Sequence, residues 1–229
     1  MAKRKMHFSE SEFYHLYNRG NSKQIIFTDD QDRDRFVKLL YLCNSYKNFS
    51  FRDDIILPDL DAFDFDREEQ LVAISAWVLM PNHFHLYITP FPRNRVTGEK
   101  EVSSVSIFMH KLTKAYSRYF NDRHKRTGTL FEGRFKAIHV LSDNQAKYLF
   151  SYIHLNPVKL IQKDWKEKGI RSVEEALEYL DGYAWSSYAD FKGKERVQNK
   201  ILNIEKFPEY FNSISEFDTE ILDWITYSP

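Results

Sequence analysis

A chain of 229 residues, 42% hydrophobic and 16% aromatic, carries enough apolar side chain for a substantial core, which excludes a disordered chain and favours one domain with an appendage over two small domains. Its single cysteine, Cys43, excludes intramolecular disulfides and thiolate-rich structural zinc sites and reads as a buried core thiol. The 33 Lys and Arg cancel the 33 Asp and Glu, yet residues 103–168 hold 13 basic against 5 acidic, residues 51–69 hold 2 against 8, and residues 201–229 hold 1 against 6, so a polyanionic partner is permitted by the local field.

No apolar run reaches the roughly 18 residues that span a bilayer. The start MAKRKMHFSESEF has basic residues without an apolar segment behind them, so no signal peptide is expected there. A cytoplasmic location, without membrane partners, is the expectation.

In chain order, FYHLYNRG (13–20) alternates and is rich in aromatics, which predicts a strand ending at Gly20. From Asp29 to about Tyr46, the apolar residues Phe36, Leu39, Leu40 and Cys43 recur at helical spacing behind Thr28 and Asp29, either of which serves as a cap. The acidic stretch RDDIILPDLDAFDFDREE (52–69) shows no period and reads as a long loop or insertion with room for a short strand, placed away from any DNA groove. LVAISAWVLM (71–80) and HFHLYIT (83–89), joined by Pro81-Asn82, predict a β-hairpin.

Ser103 or Ser104 caps a helix predicted to run to about Phe120, with an inner stripe of Val105, Phe108, Leu112, Tyr116 and Tyr119. Thr127-Gly128 breaks the chain before TLFEGRFKAIHV (129–140), which reads as strand. Asp143 starts a helix that ends near Asn156, because Pro157 disfavours helical geometry in the residue before it. A further helix is predicted at 172–180, then linker and short helices from about 190. Strands and helices mix without βαβ spacing, so the predicted class is α+β: an antiparallel sheet flanked by helices, with residues 8–191 as the main domain and 192–229 as an acidic, helical extension.

The chemistry concentrates in MPNHFHLYI (80–88). On a strand, residues two apart share a face, so His83 and His85 project together while Phe84 and Leu86 face a core. Two neutral imidazoles can share one divalent ion. They are too few for a closed structural site and suit an open one, completed by an oxygen ligand and by substrate or water; oxygen ligands favour Mg²⁺ or Mn²⁺. In KYLFSYIHLNPVK (147–159), Tyr152 and Asn156 lie four apart on one helix face, with Tyr148 one turn earlier. A tyrosine beside a metal can attack phosphorus once its phenol, with an ordinary pKa of about 10, is helped to ionise. Asn156 is placed to offer its amide oxygen to the same ion.

PNHFHLYI resembles the histidine–hydrophobic–histidine motif of the HUH superfamily of single-strand DNA endonucleases and transposases. YHLYNRGNSKQIIF (14–27), RTGTLFEGRFKA (126–137), YIHLNPVK (152–159) and YAWSSYADF (183–191) resemble, in order, the blocks of REP-associated tyrosine transposases, over roughly residues 10 to 191. The resemblance implies a ferredoxin-like sheet with the histidine pair on a central strand, Tyr152 as nucleophile forming a 5′-phosphotyrosine link, and His83, His85 and Asn156 at a Mg²⁺ or Mn²⁺ ion. The substrate it implies is single-stranded DNA, often folded as a hairpin, which a monomer or a homodimer could process. Candidate DNA contacts are Asn18, Arg19, Arg126, Arg134 and Lys136, with Gly128 and Gly133 allowing close backbone approach; Phe131 and Phe135 could stack on bases, but their alternation favours a buried strand face. The rival readings are a non-cleaving binder of structured DNA or RNA, and a nuclease that uses water with Tyr152 structural. The acidic tail is free to pack as helices, to cover the site or to mediate oligomerisation.

Overall fold

A computed structural model describes residues 6–91, 102–210 and 213–226. Its centre is a four-stranded antiparallel sheet in the order β2-β3-β1-β4, built from β1 (Phe13–Arg19), β2 (Val72–Met80), β3 (His83–Pro90) and β4 (Lys136–Val140). The fold is α+β, as its sequence predicts. The β2–β3 hairpin forms as expected around Pro81 and Asn82, with a register shift between Ile74 and Ala76.

The two faces of the sheet carry different cores. One face presents Tyr14, Leu16, Trp77, Phe84 and Leu86 to α1 (Asp30–Leu42) and α2 (Ser104–Arg123). Each helix begins where the sequence places a cap: Asp29 accepts from the Asp32 amide at 3.0 Å, and Ser103 from Ser106. The two helices are also tied end to start. Buried Asp32 accepts from Thr28 Oγ1 at 2.5 Å and from Arg123 at 2.5 Å, and Arg123 also reaches Asp29 at 2.7 Å. Cys43 is fully buried here, and burial pushes its thiol up to about 12.

The acidic segment is not an open loop and contains no strand. Ser50 caps a turn of π-helix over Phe51–Ile56, and a 3-10 turn follows at Ala62–Asp64. Its apolar members Ile55, Ala62, Phe63 and Phe65 are buried against the α1 side while the carboxylates stay outside, so aperiodic spacing conceals four anchoring points. The segment thus lies on the opposite side of the sheet from His83 and His85.

The other face is covered by α3 (Asp143–Leu155), whose Leu149, Phe150 and Ile153 are buried in a second core. The helix tightens into a 3-10 turn at Asn156–Leu160 around Pro157, so Asn156 keeps helical angles (φ −54°, ψ −38°) while the α-helix itself stops at Leu155. Four further helices follow: α4 (Trp165–Lys168), α5 (Val173–Gly182), α6 (Tyr188–Phe191) and α7 (Ile214–Thr226). The tail packs on α3 from behind. Phe217 contacts the Phe150 and His154 rings, Trp224 meets Tyr148 edge-on at 5.1 Å, and Phe207 lies 5.0 Å from Tyr87.

The predicted strand 129–140 is half irregular. Only Lys136–Val140 pairs with β1; residues 129–135 instead cross the end of β1, with Gly20 bridging Phe131 and Asn21 N donating to Leu130 O at 2.8 Å. Gly128 and Gly133 sit at φ +87° and +66°, a backbone conformation that favours glycine, and the space beside each is open. At Gly20 the requirement is steric: a Cβ would lie 2.2 Å from Gln24 O.

Candidate active site

Strand register decides which side chains meet. Tyr17 pairs with His85 and Arg19 with His83, while on the other side of β1 Tyr17 pairs with Lys136 and His15 with Ile138. His15, Tyr17 and Arg19 therefore share a face with His83, His85 and Lys136. The helix α3 lies over this face and lowers Tyr152 onto it. The Tyr152 ring stands edge-on to His85, centroids 5.4 Å apart and planes at 79°, and 6.3 Å from the His15 ring. The His83 and His85 rings are 5.0 Å apart and perpendicular. A cavity of about 420 Å³ opens between strand and helix, lined by His15, Tyr17, His85, Tyr148 and Tyr152 among others. A larger cavity of about 800 Å³ lies between α1, α2 and the 48–56 segment, on the far side of the sheet, and holds none of these groups.

Burial holds His83 down to about 4, helped by the nearby positive charges of Lys159 and Arg19, and burial alone holds His15 down to about 4. Both rings are neutral at pH 7, the state in which imidazole binds a cation. Two hydrogen bonds set the orientation of the histidine pair. His83 Nδ1 lies 2.6 Å from Asn82 Oδ1, and His85 Nδ1 lies 2.8 Å from His15 Nε2.

Tyr152 is pushed above the ordinary tyrosine range, first by burial; the amide of Asn156 acts the other way, and Tyr148 and Tyr17 add to the rise. Asn156 itself is fully buried, and neither its Oδ1 nor its Nδ2 makes a well-formed hydrogen bond among the described residues. It lies close enough to the Tyr152 phenol to favour the ionised form. A buried amide in this state costs roughly 1–3 kcal/mol, an expense that a structural role would not require. Tyr148 stacks on Tyr152 with centroids at 6.2 Å and planes at 14°, but is itself half exposed at the cavity edge.

A divalent ion fits this donor set as an open site. Among the described residues no group of three or more His, Cys, Asp or Glu could hold a metal; the protein's share would be the imidazoles of His83 and His85, 5.0 Å apart, with Asn156, which interacts with Tyr152, as the candidate oxygen ligand. The remaining positions fall to substrate oxygen and water.

The predicted DNA contacts separate into three groups. Arg19 and Lys136 lie on the site face; Arg19 donates from Nη2 to Glu132 Oε1 at 3.0 Å, so its charge is partly engaged. Arg134 and Lys136 are exposed, and Arg126 rests at the end of α2 with its guanidinium 5.6 Å from the Phe120 ring. Asn18 is turned toward the opposite core, 4% exposed, with Nδ2 reaching Gly133 O at 3.4 Å and Oδ1 accepting from Arg19 N, bonds that hold the 130–133 segment beside Arg19. Phe131 is buried and Phe135 packs on the same core.

Sequence reasoning missed His15, Asn82 and Lys159. The alternation in YHLYNR puts His15 on the face of Arg19, a signal present in the sequence, but only the β1–β3 register brings it to His85. Lys159 follows Asn156 by three, and side chains three apart on a 3-10 turn eclipse.

No helix among the described residues is long and apolar enough to cross a membrane. No family model matches the chain, and no curated protein matches it. Among solved structures, a REP-associated tyrosine transposase bound to a REP hairpin is 14% identical, covering 86% of this chain and 90% of that one, with a TM-score of 0.46. A candidate transposase from Deinococcus radiodurans is 18% identical, covering 67% of this chain and 95% of that one, with a TM-score of 0.32.

Proposed function

We propose that this protein cuts and rejoins single-stranded DNA, hairpin-containing strands above all, through a covalent link to Tyr152 and with Mg²⁺ or Mn²⁺ at His83 and His85. The observation that carries the reading is the meeting of Tyr152 with His85 across one cavity, with the His83 ring 5.0 Å from that of His85 and the buried amide of Asn156 one turn along the helix from Tyr152. The ordered sequence blocks point the same way.

In the proposed reaction the Tyr152 hydroxyl oxygen forms a bond to the scissile phosphorus, and the bond from phosphorus to the 3′-oxygen breaks. The phenol gives up its proton and the departing 3′-oxygen gains one, leaving a 5′-phosphotyrosine and a free 3′-hydroxyl. A 3′-hydroxyl from the same or another strand reverses these bonds and needs no external energy. An ion held by His83 and His85 would supply Lewis acidity at the phosphate and lower the cost of charge on the phenolate. The protein's own residues do the rest. The edge of His85 and the stacked Tyr148 fix the Tyr152 ring, the Asn156 dipole favours the ionised phenol, and Arg19, Lys136 and Lys159 offer positive charge along the approach.

The test is incubation with end-labelled single-stranded hairpin pools and Mn²⁺ on denaturing gels. A labelled band at protein mass, lost in Tyr152→Phe, is the expected result. Cut DNA without that band would favour a water-using nuclease, and retention without cutting a binder of structured DNA or RNA.

A further inference from the structure

Each histidine of the pair has its inner nitrogen held by a different neighbour. For His83 the direction of that bond follows from the geometry. Asn82 Nδ2 donates to Lys23 O at 3.1 Å, which fixes the amide so that Oδ1 faces the His83 ring. A carbonyl oxygen can only accept, so His83 Nδ1 carries the hydrogen and Nε2 keeps its lone pair. The link is rigid, because Asn82 sits in the tight β2–β3 turn whose carbonyls also receive the backbone amides of Gly20 and Ile26.

For His85 the neighbour is another ring. Nδ1 of His85 lies 2.8 Å from Nε2 of His15, whose ring is stacked at 5.0 Å and 26°. The contact is diagonal across the β1–β3 ladder, since His15 pairs directly with Tyr87. When both rings are neutral, this contact holds one hydrogen between them. If His85 donates, its Nε2 keeps a lone pair as that of His83 does, and His15 carries its own hydrogen on Nδ1. If His15 donates, His85 Nε2 must carry a hydrogen and cannot bind a cation.

We propose that Asn82 and His15 are positioning residues that set the tautomers of His83 and His85, so that both Nε2 atoms present lone pairs to one divalent ion. His15 is then no ligand: its Nε2 is engaged with His85, on the nitrogen turned away from the ion. The arrangement matches the general need of metal-bound histidines for an acceptor on the second nitrogen, with an imidazole in the place usually taken by a carboxylate or carbonyl. A neutral partner in place of a carboxylate keeps negative charge away from an approaching phosphate. The inference rests on the metal reading given above.

The experiment has two readouts on the full chain. Nitrogen-15 NMR of the imidazoles in metal-free protein reports which nitrogen of each ring is protonated. Titration with Mn²⁺, following the free ion by its paramagnetic signal, reports affinity. In wild type both rings are expected to be protonated on Nδ1. His15→Ala should allow His85 to populate the Nε2-protonated form and weaken Mn²⁺ binding about 10- to 100-fold. His15→Gln, whose carbonyl can still accept from His85, should stay nearer to wild type. Asn82→Leu should do to His83 what His15→Ala does to His85, and Asn82→Asp should preserve its tautomer.

Wild-type His85 protonated on Nε2 would overturn the proposal without any variant. Equal Mn²⁺ affinity in wild type and His15→Ala would overturn it while leaving the metal reading intact. No Mn²⁺ binding by wild type, with or without DNA, would remove the metal reading and the proposal together. Thermal melts distinguish a purely packing role, in which Ala and Gln variants lose stability alike and neither alters the His85 tautomer.

Discussion

The phenol of Tyr152 meets the imidazole of His85 edge to face across the gap between α3 and β3, with centroids 5.4 Å apart. A helix and a strand separated by more than fifty residues thus converge on one small volume, and only a hydroxyl distinguishes Tyr152 from a packing residue there. Tyr152→Phe should remove the covalent product by about a thousandfold or more while changing stability by less than about 1 kcal/mol. Denaturing gels and a thermal melt of the same preparation check this; persistence of the protein-linked band would move the nucleophile elsewhere, with Tyr148→Phe the next variant to assay.

His83→Ala and His85→Ala should each raise the Mn²⁺ concentration needed for half-maximal cleavage about tenfold or more and lower the rate at saturation. The measurement is cleavage rate against metal concentration. A variant whose rate falls with no change in the metal midpoint would indicate that its imidazole acts on the DNA rather than on the ion.

Asn156 offers a sharper separation of function from folding. Its amide is fully buried and poorly satisfied, so Asn156→Leu, similar in size and apolar, should leave stability unchanged or raise it by about 1 kcal/mol. Cleavage should fall steeply at the same time. Urea melts set beside gel assays decide it, and a marked loss of stability would mean that the amide is bonded within the fold after all.

Burial keeps His15 and His83 down to about 4 and His154 down to about 3, against an ordinary value of 6.5. The unfolded chain therefore takes up these protons first as pH falls. The stability conferred by the neutral rings is complete above about pH 6.5 and is lost progressively toward pH 4, at up to about 1.4 kcal/mol per pH unit for each ring. Thermal melts between pH 7.5 and 4.5 should show the decline, and a flat profile would contradict neutral burial of these histidines.

Lys159, beside His83 and one 3-10 turn from Asn156, should act on the strand as a charge and not on its sequence. Lys159→Gln should weaken binding to all single-stranded probes alike and reduce the slope of log affinity against log salt by about 0.7. Fluorescence anisotropy at several salt concentrations is the readout; a change confined to particular sequences would assign Lys159 to base contact instead.

Much of this is legible in the amino-acid sequence. Period-two alternation placed His83 and His85 on one face, and helical spacing put Tyr152 and Asn156 together, because both patterns are local. The failures share a cause. The acidic segment looked like a loop because Ile55, Ala62, Phe63 and Phe65 anchor it at irregular intervals. Residues 129–135 looked like strand because their alternation serves a crossing over Gly20 and Arg19 instead of a ladder. Asn18 looked like a DNA contact because it adjoins Arg19, yet strand geometry turns adjacent residues to opposite sides. His15 went unnoticed because its importance depends on strand register, and pairing between distant segments leaves no mark within either one.

The sheet also divides the molecule's capacity to change. All of the proposed chemistry sits on the α3 side, whereas the acidic segment is accommodated wholly on the α1 side, anchored by a few apolar residues. Descendants of such a chain can lengthen, shorten or recharge that outer layer while four strands insulate the working surface from the alteration. Variation should therefore accumulate unevenly through the fold, with the rear layer a tolerant place for inserted peptides or fused labels and the α3 layer an intolerant one.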